Sequence, residues 1–378
     1  MSRPSAGAKL SDRQRLNWLR LIRTENIGPA TFRDLINRFG SAETAIEMLP
    51  ELVRHGGGLR LPKVPSIAEA ERELDAARAA GARFVALGEA DYPPVLRRVD
   101  HPPPLLAIKG DASAFALPSV AIVGARNASL AGIRMARMLA SDLGTNGYAI
   151  ISGLARGIDA AAHEGALATG TVAVLAGGLD RPYPPENIAL LDRIVERAGA
   201  AVSEMPFGWE PRAKDFPRRN RIVAGLSLGL VVVEAALRSG SLISARMAGE
   251  LGRLVFAVPG SPLDPRAAGT NGLLKDGATL VTEARDVMEA LAPLAGRPPP
   301  EPDRLAEPPD FSATPPPGER DRDRVIEALG PVPTGVDELI RHTGLHPAQI
   351  FMILLELDLA GRLERHAGGD VSLVEPER

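Results

Sequence analysis

The chain has 378 residues, of which 45% are hydrophobic and 24% are charged, and its formal net charge is -3. This composition is typical of a globular protein with two or three domains, and it excludes a bulk polycation, so any binding of nucleic acid must use a local basic patch. The absence of cysteine excludes disulfides, thiol nucleophiles, thiolate zinc sites and iron–sulfur clusters.

Residues 1–80 are predicted to form a helical domain. The N-terminus, MSRPSAGAKLSDRQ, is polar and lacks the apolar core of a signal peptide, and no run reaches the ~20 apolar residues of a membrane span, so we expect a cytoplasmic protein without a membrane partner. Helical apolar spacing over residues 12–40, broken at Gly28-Pro29, is typical of a SAM-like or helix-hairpin-helix module. The turn of such a module can bind phosphate, but a purely structural hairpin explains the pattern as well. Ser41 is predicted to cap a further helix.

Residues 81–292 are predicted to form an α/β domain, an extended Rossmann-like doubly wound parallel sheet. A helix (67–80) and a short strand (83–87) lead into it, followed by proline-rich extended connectors. Continuous β-branched runs, rather than alternating ones, then indicate strands that are covered on both faces. The predicted strands are residues 120–123, 149–151, 172–175, 201–203, 230–233, 254–258 and 279–281. Such sheets bind ligands at the carboxyl ends of their strands.

A proline-rich linker is predicted over residues 293–320 and a winged-helix domain over residues 321–378. Ten prolines lie between Pro293 and Pro317. The winged helix is predicted from three helices and two strands, at residues 323–329, 335–343, 348–360, 363–365 and 371–374. The helix at the recognition position, residues 347–360, contains no Lys or Arg, although a reader of the major groove needs hydrogen-bond donors. We therefore predict a protein-contact or structural role for this domain.

A basic segment, residues 212–221, is the strongest local signal for a ligand. It carries five cations and one acid, Asp215, and it includes the aromatic ring of Phe216. The cations are Arg212, Lys214, Arg218, Arg219 and Arg221. Guanidinium groups pair with phosphates and a ring stacks on a base, which suits a nucleic-acid strand. A solvated basic loop explains the charge alone equally well.

Four glycine-containing turns follow predicted strands, at Gly124, Gly153, Gly177 and Gly240. A strand that leads through glycine into a helix presents backbone N–H groups to an anion. The first turn has Arg126 where the dinucleotide fingerprint G-x-G-x-x-G needs glycine, so it favours an anion site without favouring a nicotinamide cofactor.

The turn after Gly153 carries a pair of polar residues, Asp159 and His163, at helical spacing. This pair offers too few ligands for a metal or a hydrolytic centre, so Asp159 is predicted to cap or orient its loop. At the fourth turn, Ser239-Gly240-Ser241 is predicted to begin a helix whose N-terminus cradles phosphate.

Seven segments of the chain closely resemble, in order, the DNA processing protein A (DprA/Smf) family, over residues 119–281. They read SVAIVGARNAS, ISGLARGIDAAAH, AVLAGGLDRPYPPEN, SEMPFGWEPRAKDFPRRNRIVAGLS, VVVEAALRSGSLISARMA, FAVPG and GTNGLLKDGATLV. The resemblance implies a homodimer that binds single-stranded DNA, protects the strand taken up in natural transformation and helps load the RecA recombinase. It implies no enzymatic activity, and we expect no cofactor and no metal.

The resemblance also implies which residues contact DNA. It places contacts at Arg126, in the basic segment and in the Ser-Gly-Ser turn, and the glycine turns add Gly124 and Gly153. The full set of predicted DNA-binding residues is Gly124, Arg126, Gly153, Lys214, Phe216, Arg219, Arg221, Ser239, Gly240 and Ser241, with no catalytic residue. Ala125 departs from the family, which commonly has Ser or Thr there, and this removes one hydroxyl contact to phosphate.

Two enzyme classes are the alternatives. Related Rossmann-like folds include nucleoside-monophosphate phosphoribohydrolases, which resemble one another in a PGGxGTxxE motif, but the corresponding segment here reads EAALRSGS. A nicotinamide-dependent dehydrogenase is disfavoured by the broken glycine fingerprint. A resemblance that spans a whole domain outweighs one loop, so a single-strand binder is the favoured interpretation.

Overall fold

The computed structural model of the chain describes residues 9–295 and 315–374, which form two compact units. One unit begins at Arg72 and contains the large sheet. The other combines Leu10–Glu71 with the C-terminal helices and strands. The N-terminal and C-terminal parts, which the sequence predicted as separate domains, therefore belong to one compact unit. No helix within the two described ranges is both long and apolar enough to cross a bilayer.

The sheet of the larger unit has nine strands. They are β1 (Ala82–Ala86), β2 (Leu105–Gly110), β3 (Ser119–Gly124), β4 (Ala149–Ser152), β5 (Thr171–Val174), β6 (Ala200–Ser203), β7 (Gly229–Val233), β8 (Leu254–Ala257) and β9 (Thr279–Leu280). Their spatial order is β1-β2-β6-β5-β4-β3-β7-β8-β9. Strands β3 to β9 pair in parallel, and the predicted doubly wound sheet is confirmed. The chain order reverses at β3, which lies between β4 and β7.

The parallel sheet is extended at one edge by two antiparallel strands, because β2 pairs with β6 and β1 pairs with β2. The sequence interpretation placed an extended connector over residues 101–105 and missed β2, whose short apolar run directly follows three prolines. Each predicted strand otherwise matches an observed strand to within one residue at either end.

Both faces of the sheet are buried under helices. In β3, Val120 and Ile122 pack into one apolar cluster, and Ala121 and Val123 pack into the cluster on the other face. This two-sided burial explains why the strands are continuously apolar. The helices of this unit are most of α4 (Ile67–Ala79), together with α5 (Leu130–Thr145), α6 (Ile158–Ala166), α7 (Ile188–Val195), α8 (Asp215–Gly225), α9 (Gly240–Glu250), α10 (Ala268–Lys275) and α11 (Ala284–Ala295).

The second unit contains the predicted helical module and winged helix. Helices α1 (Asp12–Ile22), α2 (Pro29–Phe39) and α3 (Ala42–His55) form the N-terminal module. Ser41 caps α3 as predicted, since its hydroxyl accepts a hydrogen bond from the Thr44 backbone at 3.1 Å. The winged helix consists of α12 (Glu319–Ala328), α13 (Val336–Thr343), α14 (Pro347–Leu359) and a small sheet of β10 (Thr334–Gly335), β11 (Leu363–Arg365) and β12 (Asp370–Leu373).

The predicted linker, residues 293–320, lies mostly outside the described residues. Its two ends are helical, because Pro293 is inside the last turn of α11 and Glu319 begins α12. The linker boundaries were therefore too wide at both ends. The apolar positions that fix α11, such as Val287 and Leu291, are buried, and the helix continues one turn beyond them despite the proline.

Candidate nucleic-acid interface

A cleft of about 670 Å³ opens at the carboxyl ends of β3, β4 and β7, where the strand order reverses. Open α/β sheets bind ligands at this kind of switch point. Most of the predicted residues line it, namely Gly124, Arg126, Gly153, Phe216, Arg219, Ser239, Gly240 and Ser241. Lys214 and Arg221 are not among the residues that line it. The fold thus brings together residues that are up to 117 positions apart in the chain, from Gly124 to Ser241.

A cation and a ring that line the cleft, Arg126 and Phe216, form a cluster with a second ring, Tyr183, which lies outside the cleft lining. The Arg126 guanidinium carbon lies 5.1 Å from the centre of the Phe216 ring. The Tyr183 and Phe216 rings meet edge to face, with their centres 6.0 Å apart. Phe216 is half-buried, and Tyr183 is 43% exposed. The cluster therefore offers a base-sized aromatic surface beside a positive charge.

The N-terminus of α8, which carries Phe216, is fixed by a buried carboxylate. Oδ2 of Asp215 accepts hydrogen bonds from the Trp209 indole and from the Arg212 backbone, both at 2.9 Å. The guanidinium of Arg212 lies 4.6 Å from the centre of the Trp209 ring. The loop before α8 is therefore held by its own side chains, and this sets the position of Phe216.

Arg219 forms the floor of the cleft and does not present its charge to solvent. The residue is 6% exposed, and its NH1 group donates to the Val174 carbonyl at 2.9 Å. Burial lowers the pKa of Arg219, and the nearby Asp159 carboxylate opposes that shift. The sequence predicts a DNA contact by Arg219, but the structure places this side chain under the loop that follows β4, with its charge buried.

That loop is organised by Asp159, as predicted. Oδ2 of Asp159 accepts hydrogen bonds from the backbone N–H groups of Gly153 (3.1 Å) and Ala155 (3.3 Å). Burial raises the pKa of the Asp159 carboxyl, and the charge of Arg219 counteracts this. The Gly153 N–H group points to this carboxylate, which corrects the expectation that it faces an anion in the cleft.

Gly153 is glycine because Arg219 needs its space. A Cβ atom at position 153 would lie 1.7 Å from NH1 of Arg219, whose hydrogen bond to the Val174 carbonyl would have to break for the side chain to move away. We expect Gly153→Ala to lower the free energy of unfolding by about 1–3 kcal/mol, as overpacking does. Gly249→Ala is the matched control, because a Cβ there meets nothing within 4 Å, and it is expected to stabilise α9 by up to ~1 kcal/mol. Denaturant unfolding measures both; equal stability of Gly153→Ala and the native protein would contradict the packing of Arg219.

The first glycine turn is already occupied by a carboxylate of the protein. Glu234 follows β7 with a left-handed φ of 58°, and it accepts hydrogen bonds from the Ser129 backbone (2.9 Å) and the Ser129 hydroxyl. It therefore caps the N-terminus of α5, where dinucleotide-binding folds hold a pyrophosphate. The role of Gly124 is close packing, since a Cβ there would lie 1.9 Å from the Val233 carbonyl oxygen. Glu234 was not predicted from the sequence, because its partner Ser129 lies 105 positions away.

The N-terminus of α9 lines the cleft. The Ser239 hydroxyl caps the helix by accepting from the Ser241 backbone at 3.3 Å. Two arginines that the sequence analysis missed also line this side of the cleft. Arg238 is exposed and has no ion pair among the residues that the structure describes, whereas Arg266 pairs with Asp264 at 2.9 Å. Arg238 directly precedes the Ser-Gly-Ser turn, so its place in the sequence could have predicted that it lines the cleft. No local sequence pattern predicts this for Arg266.

The other cations of the basic segment divide into two groups. Arg218 and Arg221 both pair with Glu204, at 2.8 and 2.6 Å, and the Glu204 side chain is 5% exposed. This contradicts the expectation that Arg221 faces a phosphate at the sheet edge, because a buried carboxylate compensates its charge. Lys214 is exposed at the residue preceding α8. Arg126 and Arg238 are therefore exposed cations that line the cleft, and Lys214 is an exposed cation next to Ala213, which lines it.

His163 is a buried neutral base beneath the cleft. Its Nδ1 lies 2.7 Å from the Thr171 hydroxyl, which itself donates to the Ile150 carbonyl. Burial, together with the charge of Arg219, lowers the pKa of His163 to about 3. Within the described parts of the chain, no group of three His, Asp or Glu side chains is placed to hold a metal ion.

The pKa of His163 predicts a loss of stability in acid. Its folded-state pKa of about 3 lies below the ordinary value of 6.5, so the unfolded chain binds the proton first, and stability is lost as the pH falls below 6.5. Relative to His163→Gln, the native protein should lose about 1.4 kcal/mol between pH 7.5 and 5.5. Urea unfolding at the two pH values measures the difference, and an equal pH dependence of the two proteins would contradict a neutral His163.

Comparison with known proteins links this arrangement to one family. The family model described as DNA recombination-mediator protein A matches residues 83–292, and models for a DprA-like N-terminal HHH domain and a DprA winged helix domain match residues 12–76 and 295–369. Protein Smf of Escherichia coli (strain K12) is 41% identical over 286 residues, which cover 75% of each chain.

Two solved structures are similar to this one. DNA processing protein A (DprA) of Streptococcus pneumoniae has a TM-score of 0.62 at 30% identity, covering 75% of this chain and 98% of that one. DNA processing protein A of Helicobacter pylori, whose structure describes a single-stranded DNA binding mode, has a TM-score of 0.51 at 30% identity, covering 56% of this chain and 96% of that one.

Proposed function

The chain belongs to the DNA recombination-mediator protein A (DprA/Smf) family, whose role lies in DNA processing and recombination, and from this premise we propose that it binds single-stranded DNA in the cleft. One observation carries the proposal: Arg126 and Phe216 form a joint cation-and-ring surface in the cleft at the switch point of the sheet, and the Tyr183 ring meets Phe216 beside it. A single strand exposes base faces that can stack on such rings, whereas a duplex hides them.

Binding proceeds by phosphate pairing and base stacking. Arg126 and Arg238, which line the cleft, and Lys214, which follows the cleft-lining Ala213, pair with backbone phosphates, and the N-terminus of α9 adds its partial positive charge. The buried charge of Arg219 contributes to the field of the cleft without touching the strand. With three phosphates paired, affinity falls with salt at a log–log slope of about -2.1, whereas pairing by all four cations among the predicted residues (Arg126, Lys214, Arg219 and Arg221) would give about -2.8.

We extend the proposal to the roles that the family resemblance implies. The protein shields the incoming strand, helps load the RecA recombinase and acts as a homodimer. Pairing with phosphates and stacking on bases carry no sequence information, so the cleft accepts any strand, as protection of arbitrary incoming DNA requires. Such binding needs no catalytic group, cofactor or metal, and we propose that the protein is not an enzyme.

Phe216→Ala tests the stacking part of the proposal. Loss of the ring is expected to weaken binding of single-stranded DNA by about 1–3 kcal/mol and to leave the salt slope unchanged, because the ring carries no charge. Fluorescence anisotropy with a labelled oligonucleotide at several salt concentrations measures both quantities. Phe351→Ala removes an exposed ring from the winged helix and serves as the control. Native affinity in Phe216→Ala, or a melting transition that shows an unfolded protein, would contradict the stacking role.

A further inference from the structure

Helix α14 is apolar on two faces. Ile350, Ile353, Leu354 and Leu357 pack into the core of the winged helix itself. Met352, Leu355 and Leu359 form a second face, which packs into one apolar cluster with residues of α1 to α3 such as Leu21, Phe32 and Leu52. A helix that is apolar all round is a buried helix. In DNA-binding winged helices, the helix at this position enters the major groove.

Polar contacts fix the second face of α14 to the N-terminal module. Thr31 donates to Asp358 at 2.9 Å, and Arg365 bridges Asp358 (3.0 Å) and Asp34 (3.2 Å). Arg362 donates to the Gly56 carbonyl at 3.1 Å. The backbones also approach closely, since a Cβ at Gly56 would lie 2.0 Å from the Glu356 carbonyl oxygen. Side chains and main chain together therefore define a single docked geometry.

A buried carboxylate of the winged helix contacts both regions. The Glu356 side chain is 1% exposed and accepts two hydrogen bonds from Arg322, both at 2.7 Å. The imidazole of His55, at the end of α3, lies 3.4 Å from the same carboxylate. Glu356 thus connects α3, α12 and α14, which come from the two ends of the chain.

We propose that this face of α14 is a docking surface for the protein's own N-terminal helices, and that the winged helix is an intramolecular protein-binding module instead of a reader of DNA. The N-terminal module covers the surface that would enter a groove. The same helix carries no Lys or Arg, so it offers no cation to a phosphate and no donor of that kind to a base edge. Residues 10–71 and the winged helix accordingly depend on each other for their fold.

A cross-link tests whether DNA needs this face. The chain has no cysteine, so Thr31→Cys combined with Asp358→Cys provides a unique pair of thiols, which a short bismaleimide joins when α14 is docked. Locking the docked state should leave the affinities for a single strand and for a duplex within about twofold of the unlinked protein. A tenfold loss of affinity on cross-linking, or failure of the two thiols to be joined, would overturn the proposal.

Hydrogen exchange of the full chain tests the mutual dependence without any DNA. Leu355→Asp places a charge in the shared cluster, so α1 to α3 should lose their protection while residues 119–281 keep theirs. Phe351→Asp, on the same helix but 45% exposed, is the control and should leave the protection of α1 to α3 unchanged. Native protection of α1 to α3 in Leu355→Asp would show that the N-terminal module does not need α14.

Discussion

Replacing Arg126 by alanine is expected to weaken binding of single-stranded DNA by about 1.5–3 kcal/mol, which is the worth of a hydrogen-bonded contact to a charged group. Arg126 is exposed, has no ion pair in the described parts of the chain, and is held against Phe216 at 5.1 Å. Loss of one phosphate contact should also make the log–log salt slope shallower by about 0.7. Binding titrations at four or five salt concentrations measure both effects.

Two matched variants show whether the effect depends on the guanidinium group of Arg126 and on its place in the cleft. Arg126→Lys keeps the charge but loses the planar group that stacks on Phe216, so it should restore the salt slope and only part of the affinity. Arg134→Ala removes an exposed arginine of α5 that does not line the cleft, and it should leave binding unchanged. Equal losses in Arg126→Ala and Arg134→Ala would indicate a general effect of charge and would contradict the cleft.

Replacing Glu356 by alanine is expected to lower the free energy of unfolding by about 3–5 kcal/mol, because it leaves a buried charge unpaired. Arg322, whose side chain is 13% exposed, would lose both of its carboxylate hydrogen bonds. The loss should appear in the unit that contains the N-terminal module and the winged helix. Hydrogen exchange measured at increasing temperature identifies which helices open first.

Two controls accompany Glu356→Ala. One breaks an exposed ion pair elsewhere, and the other replaces the buried pair by apolar side chains. Glu289→Ala breaks an exposed pair with Arg285 on α11 and should cost no more than about 0.5 kcal/mol. Replacing Arg322 and Glu356 together by methionine removes both charges and should recover most of the lost stability. If Glu289→Ala and Glu356→Ala cost the same, Glu356 does not act as a buried link.

The sheet was predictable because the burial of a strand determines the pattern of apolar residues in its sequence. Strands that are covered on both faces read as continuous apolar runs, and β3 to β9 were found this way. Strand β2 was missed because a short run after three prolines resembles a connector. The sequence did not reveal that α14 packs on α1 to α3, although the lack of Lys and Arg in α14 did favour a protein-contact or structural role.

The sequence predicted the location of the cleft better than it predicted the contacts of the individual side chains. Glycine turns, Arg126 and Phe216 follow from local motifs, and the parallel sheet brings them to one edge. Charge counting could not tell which cations are free. Arg219 is buried under Gly153, and Arg221 is paired with Glu204, 17 positions earlier in the chain. The capping of α5 by Glu234 likewise depends on residues 105 positions apart, which no local pattern reveals.

The measurement that tests the central claim most directly compares three ligands with the full chain: a single-stranded oligonucleotide, the matching duplex, and nucleoside monophosphates, with hydrolysis of the last assayed in parallel. A cleft that pairs with phosphates and stacks on exposed bases predicts tight binding of the single strand, weaker binding of the duplex and no turnover of the nucleotides. Preference for the duplex, or hydrolysis of a nucleoside monophosphate, would contradict it.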